Sequence, residues 1–142
     1  MQEWALWALA SAVFAALTAI FAKVGLDGID PDFATFIRTL VIAAALVLFL
    51  TYAKKWQPLG ELGARNWLFL TLSGLATGAS WLAYFKALQM GSASQVAPID
   101  KLSVVLVVVF AVMFLGERPS VREWIGIALI ASGVFTLVFA DK

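Results

Sequence analysis

The sequence predicts an all-α integral membrane bundle of five transmembrane helices. Apolar residues make up 63% of its 142 residues and charged residues 13%, whereas soluble domains carry about 45–50% and about 25%. The mean hydropathy is +0.95. Apolar stretches of about 20 residues, the length that crosses roughly 30 Å of hydrocarbon, recur along the chain. They cover approximately residues 4–24, 33–53, 67–89, 94–115 and 123–140.

The first stretch, residues 4–24, is predicted to be a retained helix rather than a signal peptide. No basic segment precedes it and no small-residue cleavage pattern follows it. Its apolar run is also longer than the roughly 7–15 residues of a signal-peptide core. The next segment, residues 25–32, is rich in Gly, Pro and Asp, which end one helix and begin another.

The second and third stretches carry polar and aromatic side chains well inside the span. Arg38 lies about a turn and a half into the second stretch. In the third, Trp81 and Tyr84 lie away from the membrane interfaces, where such rings are usually found. We therefore predict that Arg38, Trp81 and Tyr84 line a substrate pathway. Lys86, about a turn before the end of the third stretch, is a further pathway residue.

Two pairs of glycines predict faces for close helix packing. Gly74 and Gly78 share one face of the third stretch, and Gly126 and Gly133 share one face of the fifth. Small residues at such spacings let helix backbones approach closely in a membrane. Ordinary packing is the favoured interpretation for both pairs. For the face of Gly74 and Gly78, a surface that lines a substrate path is the alternative.

Asp100 and Lys101 stand side by side in the fourth stretch. The segment SASQ, residues 92–95, has the spacing of a capping box and predicts that the helix starts there. At about 1.5 Å per residue, the two charges then lie about 10 Å along the helix, below the headgroups. A charge at the bilayer centre costs about 2.5–3.5 kcal/mol. Since adjacent helical residues point about 100° apart, we expect each charge to pair with another residue, not with its neighbour.

The deep charges gather in the half of the membrane opposite the N-terminus. Lys23, Arg38, Lys86 and Lys101 are predicted there, together with Asp100. We predict a water-filled vestibule in which Asp100 pairs with a basic residue of another helix or of a partner subunit. The alternative, strongest for Lys23 and Lys86, is that the long basic side chains extend independently to the membrane surface.

Loop charges favour a cytoplasmic N-terminus by a small margin. Basic residues in the loops are more numerous on the N-terminal side of the membrane, which the positive-inside rule assigns to the cytoplasm. Counting the basic residues inside the helix ends removes this excess, so insertion in both directions stays open. The residues on the N-terminal side are Lys54, Lys55, Arg65, Arg118 and Arg122, and those on the opposite side are Lys23 and Lys142.

Composition also argues against several classes of function. The chain has no cysteine and no histidine, so disulfides, thiolate nucleophiles and the usual transition-metal ligands are excluded. No recognisable catalytic arrangement of residues remains, and we expect neither an enzyme nor a cofactor or metal site. Ten basic residues against nine acidic ones give no reason to expect a nucleic-acid partner.

The signature of the EamA domain resembles two segments of this chain, which are YFKALQMGSASQVAPIDKLSVVL and FLGERPSVREWIGIALIASGV. This domain is the five-helix unit of the drug/metabolite transporter superfamily, and the likeness covers the whole chain. The resemblance implies a secondary transporter of small metabolites or drugs in a prokaryotic cytoplasmic membrane, working by alternating access. It leaves the substrate, the coupling ion and the direction open. If a proton is coupled, Asp100 is the candidate carrier, since it is the one deep carboxylate.

Many members of this superfamily contain two such units fused as inverted halves, with ten helices. This chain resembles one half, as in the short bacterial and archaeal branch, which implies a dimer. Because an odd number of helices places the termini on opposite sides, an antiparallel homodimer is the leading assembly. A parallel dimer and a heterodimer with a related half are the competitors. The main alternative function is a non-transporting membrane subunit that packs with another membrane protein.

Overall fold

A computed structural model describes residues 3–139, and over that range the regular structure is helical, with no strand. Within the same range five helical spans are long and apolar enough to cross a membrane, as predicted. Residue 140, the predicted end of the fifth stretch, lies outside the described residues. The α-helices are α1 (Glu3–Gly25), α2 (Pro31–Tyr52), α3 (Ala64–Met90), α4 (Ala93–Asp100), α5 (Leu102–Phe110) and α6 (Val121–Phe139).

Helix α2 begins two residues before the predicted start because Asp30 caps it. The Asp30 carboxylate accepts hydrogen bonds from the backbone N–H groups of Asp32 at 2.9 Å and Phe33 at 3.0 Å. Pro31 occupies the first turn, where its missing N–H removes no helical hydrogen bond. The sequence analysis took the Gly, Pro and Asp residues of this segment as the boundary between two helices, but it did not identify Asp30 as the residue that caps the second one.

Helix α6 begins earlier than predicted for a similar reason. The Ser120 backbone N–H donates to the Glu123 carboxylate at 2.5 Å, and the Glu123 N–H donates to the Ser120 hydroxyl at 3.4 Å. This reciprocal pair is a capping box. It follows Gly116, whose positive φ of 67° ends the preceding helix in the left-handed conformation that glycine adopts most readily.

The fourth span, residues 93–115, consists of three helical pieces. Helix α4 ends at Asp100, Lys101 forms a turn with ψ of −5°, and α5 starts at Leu102. Around this turn the hydrogen bonds shorten by one residue: Lys101 N–H donates to the Pro98 carbonyl at 3.0 Å, and Val104 N–H donates to the Lys101 carbonyl at 3.0 Å. Pro98 itself has no N–H to continue the α-helical ladder. A π-helical turn then completes the span to Leu115.

The chain divides into two compact units, residues 20–90 and residues 1–19 with 91–142. In the unit of residues 20–90, α2 packs along α3, and the side chains of Phe85 and Leu88 are buried. In the other unit α4 and α5 both pack against α6, and Ala111 and Val134 are buried. Each unit therefore positions one group of the predicted pathway residues.

Candidate functional site

In the unit of residues 20–90, Arg38 lies over two aromatic rings of α3. Its guanidinium carbon is 4.2 Å from the centroid of the Trp81 ring and 5.3 Å from that of Phe85. Trp81 and Phe85 are four residues apart and so share a face of α3. The three residues form what we call the Arg38 cluster. The structure thus brings together Arg38 and Trp81, both predicted pathway residues, and adds Phe85, which was not among the predicted pathway residues.

The Arg38 cluster holds a cation in an apolar helix without a carboxylate. No acidic side chain within residues 3–139 forms an ion pair with Arg38. Arg38 is half-buried, as is Trp81, and Phe85 is only 3% exposed. The faces of the two rings supply the negative potential that attracts the guanidinium. Tyr84, also half-buried, follows Trp81 by three residues on α3, which is about one turn of the helix.

The other basic residues of this unit have different surroundings. Lys23, near the end of α1, donates a hydrogen bond of 2.6 Å to the Leu88 carbonyl in the last turn of α3. A cation at a helix C-terminus is stabilised by the unpaired carbonyls there. Lys86 is exposed and forms no ion pair with a described carboxylate. Lys86 therefore lies outside the Arg38 cluster, and its place in a pathway stays a prediction.

In the other unit, Asp100 and Lys101 pair with each other. The Lys101 ammonium lies 3.1 Å from the Asp100 carboxylate, and the two side chains are 54% and 35% exposed, respectively. The expectation that neighbouring residues would not pair was wrong. It relied on the angle of about 100° between neighbouring helical side chains, whereas the lysine side chain is long enough to reach back to the preceding carboxylate. The vestibule, which would combine residues of both units, stays a prediction.

The glycine faces make no close contact within the described chain. A Cβ atom added to Gly74, Gly78, Gly126 or Gly133 would have no heavy atom within 4 Å beyond its own neighbours and helix backbone. Gly78 and Gly126 are half-buried and the other two are exposed. The close approach that these glycines permit is thus not used inside either unit, and packing at these faces stays a prediction.

Comparison with known proteins places this chain in a family. The model of the EamA-like transporter family matches residues 2–139. The chain belongs to this family. A Sinorhizobium sp. protein named "Uncharacterized transporter in cobO 3'region" is 56% identical over 136 residues, which cover 96% of each chain. No solved structure matches at a significant level.

A longer relative also matches this EamA domain. The "Uncharacterized transporter YxxF" of Bacillus subtilis (strain 168) is 28% identical over 135 residues, which are 94% of this chain and 42% of that protein. The chain therefore spans less than half of this relative. Together with the five apolar spans, the family membership supports an integral membrane transporter rather than an enzyme.

Proposed function

We propose that this EamA domain is a secondary transporter of small metabolites or drugs in the prokaryotic cytoplasmic membrane, working as a dimer by alternating access. The observation that carries the proposal is the Asp100–Lys101 ion pair of 3.1 Å at the interruption of the fourth span. Family membership supports the coarser statement that the protein is a membrane transporter.

An interrupted helix with charges suits a transporter for a physical reason. Non-helical backbone at membrane depth leaves polar groups available, and it is tolerated where it is buried in protein or lines a water-filled cavity. Pairing Asp100 with Lys101 lowers the cost of placing either charge in the apolar span. If a proton is coupled to transport, Asp100 is its candidate carrier. A subunit that serves only for packing has no need of such a pair.

The proposed assembly is an antiparallel homodimer. A chain with five spans has its ends on opposite sides of the membrane, so a second copy resembles an inverted second half only if it inserts upside down. The small charge difference between the two sides permits both orientations. The glycine faces, which meet no neighbour within the described chain, leave room for close contact with another copy.

Cysteine labelling tests the assembly. The chain has no cysteine, and Gln57 lies exposed in the segment between α2 and α3, so the thiol of Gln57→Cys is unique. We would compare labelling of intact cells by a membrane-impermeant thiol reagent with total labelling after lysis. Labelling of about half the protein from outside is expected for dual insertion. Labelling of nearly all or nearly none contradicts the antiparallel homodimer and leaves a parallel dimer or an oppositely oriented partner.

Flux measurements test transport itself. The purified chain, reconstituted in vesicles, is offered a panel of labelled small organic acids, amines and neutral metabolites. Saturable uptake of at least one solute, lost in Asp100→Asn at equal reconstitution, is the expected result. A stable copurifying partner together with no flux would instead favour the non-transporting subunit.

A further inference from the structure

We infer that Arg38 binds the carboxylate of an organic monoanion and that Trp81, which is half-buried, contacts the apolar part of the same molecule, while the buried Phe85 ring only holds the guanidinium. This inference names a substrate class for the proposed transport function and rests on that function. Its basis is the position of the guanidinium over both rings, at 4.2 Å from the Trp81 centroid and 5.3 Å from the Phe85 centroid.

The geometry of a guanidinium explains why a carboxylate fits. The five N–H donors of arginine lie in one plane, in a fork that matches the two oxygens of a carboxylate. An aromatic ring offers no oxygen acceptor, so contact with the rings leaves the N–H donors of the guanidinium without an oxygen partner. The contacts recorded for Arg38 within residues 3–139 are with aromatic rings, and no described carboxylate lies within ion-pair distance. Its fork is thus held in place and available to an external acceptor.

The electrostatics favour an anion of single charge. A cation in an apolar span is costly unless it is paired or faces water. The aromatic rings offset part of this cost, and a bound carboxylate would neutralise the rest. The Arg38 cluster contains one cationic side chain, so a monoanion balances its charge. Lys86 is exposed and outside the cluster, so it supplies no second charge here.

The competing interpretation is that Arg38 only fastens α2 to α3. Arg65 offers a matched comparison, since its guanidinium lies 5.9 Å from the centroid of Phe69 on the same helix α3. Arg65 is exposed and stands in the first turn of that helix, whereas Arg38 is half-buried within its span. Replacing each arginine by methionine removes a cation beside an aromatic ring at both positions. Only the Arg38 change is expected to affect anion binding.

The test uses three aromatic probes of nearly the same shape and different charge. Benzoate is an anion at neutral pH, benzamide is neutral and benzamidine is a cation. Their binding to the purified full chain in a neutral detergent is measured by titration calorimetry. We expect benzoate to bind about tenfold or more tightly than benzamide, since a charge-assisted hydrogen-bonded pair is at stake. Benzamidine is expected to bind most weakly.

Variants then locate the binding. Arg38→Met should weaken benzoate binding about tenfold or more, and Arg65→Met should change it less than about twofold. Arg38→Lys, which keeps the charge without the fork, should bind with intermediate affinity. Equal binding of benzoate and benzamide by the unmodified chain overturns the inference, as does unchanged benzoate binding by Arg38→Met. If Arg38→Met does not fold, the probe series on the unmodified chain decides alone.

Vesicle flux separates this inference from the proposed function. If benzoate binds in the predicted charge order while no solute of the panel, benzoate included, is carried across the membrane, the result supports the anion site and contradicts transport. Saturable flux of other solutes, with no preference for benzoate over benzamide in binding, supports transport and overturns the anion site.

Discussion

The two charged sites differ in how the surrounding helix holds them. Arg38 lies within the uninterrupted helix α2, and its guanidinium is placed over two rings of the neighbouring helix. Asp100 and Lys101 lie where a span is interrupted, and they pair with each other. One charge is thus fixed by a second helix, while the other two depend on a local turn.

This difference suggests a division of roles within the proposed transporter. Recognition of a substrate requires a donor held in one geometry, because ordering it at the moment of binding costs free energy. A conformational switch requires instead an element with two arrangements of similar free energy. The Arg38 cluster meets the first requirement, since two rings hold the guanidinium, and the turn at Lys101 is our candidate for the second. The following predictions test whether the two sites separate in this way.

The largest effect is expected from Asp100→Asn. We predict that flux falls at least about tenfold, because a charge-assisted hydrogen bond worth about 1.5–3 kcal/mol is lost at the switch. Folding should change little, since the Lys101 side chain is 54% exposed and its charge can reach water. Uptake into vesicles and thermal unfolding in detergent measure the two effects. Benzoate binding at Arg38 should be unaffected.

Two controls sharpen the Asp100 prediction. Asp27→Asn removes an exposed carboxylate from the loop after α1 and should leave flux unchanged. The double change Asp100→Asn with Lys101→Met removes both charges and leaves no unpaired ammonium. Normal flux in the double variant would show that the pair serves only to neutralise charge, and the switch proposal would then fail.

Pro98→Ala is expected to have the next largest effect. It should lower flux and, unlike Asp100→Asn, raise the stability of the fold. The new N–H can donate to the Ser94 carbonyl, so the helix should continue through the turn and the free energy of unfolding should rise by about 1–3 kcal/mol. The interruption that the proposed switch requires would then be lost, and flux should fall. Amide hydrogen exchange at Leu102 would report the repaired helix. An unchanged exchange rate there would mean that Pro98 does not cause the interruption.

The spans could be predicted from the sequence because they depend on local properties. Apolar length and the Gly, Pro and charge clusters between stretches located all five. The ends of the spans were predicted less accurately, because a capping pattern in the sequence does not determine which hydrogen bonds form. At residues 92–95 the Ser92 hydroxyl donates to the Gln95 side chain at 2.7 Å instead of capping the backbone. The less conspicuous pattern of Ser120 and Glu123 forms both bonds of a capping box.

The candidate sites could be predicted only in part. The sequence placed Arg38 and Trp81 well inside their respective spans, but the contact between them depends on the rotation of α2 against α3, which packing determines. For Asp100 and Lys101 the prediction failed because it relied on the angle between neighbouring side chains of a regular helix. It did not allow for the length of the lysine side chain, nor for the turn at Lys101, where backbone hydrogen bonds join residues three apart.

A smaller effect is expected from Trp81→Leu, compared with Trp7→Leu. Trp81 contacts Arg38, whereas Trp7 is 78% exposed. A cation–π contact contributes about 0.5–2 kcal/mol, so Trp81→Leu should destabilise the chain by about 1 kcal/mol more than the Trp7 change. Denaturation with sodium dodecyl sulfate in mixed micelles measures the difference. Equal destabilisation would mean that the rings do not hold Arg38, which removes the contrast between the two sites.

The smallest effect on stability is expected from changes to the N-terminal caps of α2, which carries Arg38, and α4, which carries Asp100. Asp30 accepts two backbone hydrogen bonds at the start of α2, the helix of Arg38. Ser92, at the start of α4, makes no side-chain bond to the backbone. Asp30→Ala should therefore cost about 1 kcal/mol, the usual value of a formed cap, and Ser92→Ala a few tenths at most. Unfolding in mixed micelles measures both changes. If Ser92→Ala were as destabilising as Asp30→Ala, the start of α4 would be held as firmly as the start of α2. The first half of the fourth span would then be rigid, which argues against a switch at Lys101.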